Sequence, residues 1–137
     1  MTIYYMDKTL FIKELLDKKA TVTLCTRPRR FGKTLNQTML KCFFENNSQI
    51  APHVGGGKNT RSLFNGLKIE SAEDKYFDHQ GKHPVVFLSF KEAKRKDFEE
   101  SYKQLKGELV EEFKRHDYVY EKISKADDRY PLHVKKR

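Results

Sequence analysis

Apolar residues recur along this chain with two different periods, and each change of period marks an element. In Asp7 to Lys18, DKTLFIKELLDK, Phe11 with Leu15 and Ile12 with Leu16 stand at i and i+4 among Lys and Asp. That spacing predicts an amphipathic helix with Asp7 as its N-cap. The following ATVTLCT alternates, carrying Val22 and Leu24 among β-branched Thr, and predicts a short strand over about 20–26. From Thr34, TLNQTMLKCFFE aligns Leu35, Met39, Cys42 and Phe43 on a stripe that Leu40 and Phe44 widen, so this helix is expected to be largely buried. The Asn-, Gly- and Ser-rich segment over about 46–62 has no apolar period and reads as a flexible loop. SLFNGLKI offers Leu63, Phe64, Leu67 and Ile69 for packing around a turn at Asn65-Gly66. A nearly continuous apolar run to Phe90 predicts a second strand over about 84–90, covered on both faces as in a parallel sheet. Phe98, Tyr102, Leu105, Leu109 and Phe113 then predict a long helix over about 97–116, and beyond Tyr118 the period fades into a basic tail.

Length and charge narrow the reading. The 137 residues suffice for one small domain, with ten Phe and seven Tyr to build its core although hydrophobic residues make up only 37%. With 28 Lys and Arg against 19 Asp and Glu, the net charge of +9 favours an anionic partner, which nucleotide, nucleic acid or an acidic surface would each satisfy. Cys25 and Cys42 lack CxxC spacing and nearby His, so they read as reduced, buried thiols and not as a zinc site. The start, MTIYYMDKTLF, has an early acid and no long apolar run, so a cytoplasmic protein with no membrane partner is expected.

The informative chemistry is TLCTRPRRFGKTLNQTML, Thr23 to Leu40, where a strand-like run passes through a Pro and three Arg into Gly-Lys-Thr and a helix. A bare GKT is a weak signal, but a delivering strand, a glycine and a helix start together form the context that binds phosphate. In that reading Gly32 lets the backbone approach the β-phosphate and Lys33 places its charge between the β- and γ-phosphates. The Thr34 hydroxyl is positioned to ligate Mg²⁺. Arg27, Arg29 and Arg30 either add charge around the nucleotide or form a solvated basic turn, and Phe31 reads as packing under the loop. Arg27 occupies the position at which GxxxxGK[ST] has its first glycine. GGGKNT further on is a poor second candidate, since no strand precedes it and Asn59 stands where a hydroxyl belongs.

YYMDKTLFIKELLD, TLCTRPRRFGKTLNQTMLKCFFE, LFNGLKI and HPVVFLSFKEAK resemble successive blocks of the bacterial AAA-ATPase-like family, over nearly the whole chain to about His116. The resemblance implies a P-loop ATPase, often joined to a C-terminal PD-(D/E)XK nuclease-like domain, in which Arg at the position of Arg27 is usual. It implies an α/β fold, three-layer α/β/α with a parallel sheet, and the loop over 27–34 as a variant Walker A that binds ATP with Mg²⁺. Arg27, Arg29, Arg30, Gly32, Lys33 and Thr34 are then the nucleotide-binding residues and Thr34 the metal ligand.

A Walker B strand ending in Asp is also implied, yet PVVFLSF runs into Ser89-Phe90-Lys91-Glu92 with no acid at its tip. Residues 1–137 are therefore expected to be a truncated domain that lacks the Walker B strand and later strands, whose missing C-terminal half would be its partner. Nucleotide binding is expected without catalytic residues or hydrolysis by this chain alone. The alternative is a basic nucleic-acid-binding module, weak and without specificity. Its run from Lys91 to Lys96 is interleaved with Glu92 and followed by Asp97, Glu99 and Glu100, so no clean basic stripe forms.

Overall fold

The computed structural model describes residues 6–50, 60–91 and 93–126, with only the backbone at 121 and 124–126. All of the GGGKNT segment but Thr60, residues 51–59 of the expected loop over 46–62, and the basic tail from 127 lie outside the described residues. The chain divides into two compact units, one drawn from Met1–Asn46 and Asn59–Val85, the other from Asn47–Lys58 and Val86–Arg137.

The first unit is helical. Helix α1, Leu10–Lys18, buries Ile12 completely and stops where Lys19 turns left-handed, its N–H donating to the Leu15 carbonyl. Asp7 is not its N-cap: Thr9 holds that place, and Asp7 accepts the Thr9 N–H (2.8 Å) in a local turn ahead of the helix. Helix α2, Lys33–Phe44, carries Phe43 into a core shared with Ile12, Phe64, Ile69 and Tyr76. Phe43 meets the rings of Phe44 and Phe64 edge-on at 5.1 Å, so truncating it to Ala would cost about 3–5 kcal/mol. Burial of α2 is narrower than its stripe suggests, for Leu35 is 60% exposed. Two 3-10 turns, Arg61–Phe64 and Lys68–Ser71, and the short α3, Asp74–Phe77, deliver the remaining core residues. Gly81 and His83 donate to the Phe43 and Phe44 carbonyls (2.8 and 2.9 Å), satisfying acceptors that the end of α2 leaves without intrahelical partners.

The parallel sheet of the expected α/β fold is absent. Among the described residues there is no strand, and a single parallel bridge joins Glu45 to His83. Residues 22–28 and 84–89 have extended or irregular backbone without a ladder, leaving Val22 and Leu24 82% and 84% exposed and Val86 and Phe90 63% and 66%. Alternation and β-branching favour a backbone conformation, but a strand also requires a neighbouring strand to pair with, and among the described residues neither segment pairs with one. The reading of a partial three-layer P-loop sheet is corrected accordingly.

In the second unit, helix α4, Phe98–Arg115, starts at Asp97, whose side chain accepts the Glu100 N–H (2.8 Å). Glu112 receives two hydrogen bonds from Arg115 (2.9 and 3.0 Å) and one from the Phe87 N–H (3.4 Å), which tethers the 86–90 segment to α4. Helix α5, Asp117–Ala126, stands where no period was legible. Among the described residues no helix is long and apolar enough to cross a membrane.

Candidate functional site

The GKT segment opens α2. Gly32 is its N-cap in the left-handed region (φ 74°, ψ 21°), and Lys33 follows directly in helical conformation. A left-handed residue succeeded by a right-handed one turns consecutive N–H groups toward a common concavity, the arrangement that receives anions. No side chain caps this helix, and its first turn contains no acid. The first N–H groups of a helix need an acceptor from outside it, and among the described residues the N-cap of α2 supplies no side-chain one.

Lys33 folds back over the preceding loop. Its Nζ donates to the carbonyls of Arg27 (2.5 Å) and Pro28 (2.9 Å), closing residues 27–33 into a ring. An ammonium has three N–H donors, so one remains for a further acceptor. Arg30 takes the left-handed region too (φ 67°), so the turn carries two positive-φ residues, only one of them glycine. Thr34 is exposed at the second position of α2.

Of the candidate arginines, Arg27 donates to the neighbouring Thr26 carbonyl (3.0 Å), while Arg29 and Arg30 are exposed on the turn. Gly32, Lys33 and Thr34 thus stand together at one helix start. Phe31 is 58% exposed and lines a cleft of about 540 Å³ with Leu10, Phe11, Leu24 and Cys25, so it does not pack beneath the loop. Cys25 is exposed and Cys42 only partly buried, which corrects the expectation of two buried thiols; burial pushes the Cys42 thiol pKa up. Among the described residues no three His, Cys, Asp or Glu side chains cluster to hold a metal ion.

One residue near the site carries no sequence signal of its own. The Lys8 ammonium lies 3.9 Å from where a Cβ on Gly32 would stand, although the two residues belong to different elements. A side chain at position 32 would meet strain from its φ and a neighbouring cation.

The family model described as predicted AAA-ATPase matches residues 1–135. The chain belongs to the AAA-ATPase-like family. Nucleotide and Mg²⁺ use is implied for that family in general. An uncharacterized protein in the vnfD 5′ region of Azotobacter chroococcum mcd 1 is 33% identical over 87 residues, covering 64% of this chain. The chain spans 13% of the length of that relative. No solved structure matches the chain.

Proposed function

We propose that this AAA-ATPase-like chain binds ATP through the loop over 27–34 and the start of α2. The observation that carries the reading is the glycine-led, uncapped N-terminus of α2 with the Lys33 ammonium drawn over its loop. The helix dipole and the first-turn N–H groups favour an anion at that point, and Lys33 adds a full charge. In this reading the backbone at Gly32 receives the β-phosphate, Lys33 directs its remaining N–H toward the β- and γ-phosphates, and Thr34 holds Mg²⁺ carried in with the nucleotide. Arg27, Arg29 and Arg30 contribute charge to the approach. Binding without turnover is proposed for these residues, since the apolar run over 84–90 continues into Lys91-Glu92 and has no acid at its own tip to position water.

Titration calorimetry with MgATP on the wild type and Lys33→Ala tests the reading. A charge-assisted contact to phosphate is worth about 1.5–3 kcal/mol, so the substitution should weaken binding by roughly 10- to 100-fold. Equal affinity in the two proteins, or no binding at millimolar nucleotide, would overturn it. Weak nucleic-acid binding is a secondary proposal, supported by the exposed Lys91, Lys94, Arg95 and Lys96. It should vanish as salt rises toward physiological strength, because phosphate contacts alone release counterions without reading sequence.

A further inference from the structure

In the tripeptide Asp7-Lys8-Thr9 the side chains of the outer members are held by hydrogen bonds, while the Lys8 side chain is exposed. One Asp7 carboxylate oxygen accepts the Thr9 N–H and O–H (2.8 and 2.7 Å), and the other accepts the Lys68 N–H (2.6 Å). Thr9 is fully buried, and its hydroxyl also accepts the Ile69 N–H (3.1 Å). Burial alone would raise the Asp7 pKa, yet the N–H groups of Lys68 and Thr9 outweigh it and hold the carboxyl below its usual value. Both Asp7 oxygens are therefore engaged by other donors. Lys8 is exposed, and among the described residues its ammonium has no carboxylate partner.

That ammonium nevertheless stands beside Gly32, 3.9 Å from a Cβ built there. Gly32 is therefore flanked by one lysine in sequence, Lys33, and another in space, Lys8. Two like charges at one helix start repel each other, whereas an anion between them would interact favourably with both. Lys8 also lines the cleft formed with Leu10, Phe11 and Leu24, so it stands where that cleft meets the loop.

We propose that Lys8 is a second phosphate-binding cation of this site, presented to the nucleotide's polyphosphate by the Asp7 and Thr9 anchors. The proposal rests on the reading of the α2 start as a nucleotide site. Its contribution should grow with phosphate charge, larger for ATP than for ADP and absent for adenosine.

The test is calorimetry on the full chain with MgATP, MgADP and adenosine, comparing wild type, Lys8→Gln, Lys8→Arg and Lys33→Ala, with a thermal melt of each. Lys8→Gln should weaken ATP binding about fivefold, the scale of a partly exposed charge contact, and Lys8→Arg should restore most of it. Wild-type ATP affinity in Lys8→Gln beside a large loss in Lys33→Ala would overturn the role of Lys8 and leave the site standing. Equal binding by wild type and Lys33→Ala would overturn the site and the role of Lys8 with it. An equal loss for adenosine and ATP, or no rescue by arginine in a folded protein, would make Lys8 a packing residue and also end the proposal.

Discussion

Helix α4 begins with an aspartate whose carboxylate accepts the Glu100 N–H, and its first turn adds Glu99 and Glu100. Helix α2 begins with a left-handed glycine, has no acid in its first turn and, among the described residues, no side-chain cap from its N-cap. Both helices face the same requirement, since the opening N–H groups of any helix need acceptors and its dipole favours negative charge there. The first meets it with its own N-cap side chain, and the N-cap of the second has none to offer. An end that a protein leaves positive, glycine-led and flanked by lysines is one at which an external anion can do what Asp97 does for α4. The difference separates a structural terminus from a candidate binding terminus on observations of one molecule.

The largest effect should come from making α2 begin as α4 does. Gly32→Asp puts a Cβ at φ 74°, next to Lys8, and sets a carboxylate where phosphate is proposed to bind. ATP affinity should fall by roughly 100-fold or more, from repulsion added to left-handed strain of about 1–2 kcal/mol. Gly32→Ala, with the strain but not the charge, should fall between that variant and wild type by calorimetry. Near-normal ATP binding in Gly32→Asp would remove the distinction between the two helix starts.

The reverse change is smaller and falls on stability. Asp97→Ala removes the cap of α4 and should cost about 1 kcal/mol, read as a lower urea midpoint, with ATP affinity unchanged. A loss of nucleotide binding in that variant would mean that the two helix starts do not act separately.

The smallest effect concerns the other end of α2, where His83 docks on the Phe44 carbonyl and its ring approaches His79 (3.1 Å between Nε2 and Nδ1). Partial desolvation, then the charges of His79 and Lys82, lower the His83 pKa. A histidine with a lowered folded-state pKa takes up its proton more readily when unfolded. Stability should therefore decline as pH drops below the ordinary histidine value, until the lowered folded pKa is passed. Urea midpoints at pH 7 and 5.5 should show the decline in wild type and a flatter profile in His83→Gln.

Helices α1, α2 and α4 were legible because their apolar residues repeat at three and four positions. GKT was legible as a local motif for the same reason: Gly32, Lys33 and Thr34 are consecutive. The extended segments were legible only in part. Val22, Leu24 and Val86 announce a β-type backbone, but pairing depends on a neighbour that no local pattern contains. Lys8 could not be read at all, because its position follows from Asp7 reaching Lys68, 61 residues away. Helix α5 was missed because its apolar positions, Val119, Tyr120 and Ile123, are few and diluted by charge.

The central claim, that the start of α2 receives phosphate and the start of α4 does not, is tested most directly by following backbone amide resonances during a MgATP titration. The largest shifts should fall on Gly32, Lys33, Thr34 and Leu35, saturate together, and disappear in Lys33→Ala, while Phe98, Glu99 and Glu100 stay in place. Shifts spread over the exposed lysines and arginines without saturation, or shifts at the α4 start equal to those at α2, would contradict it.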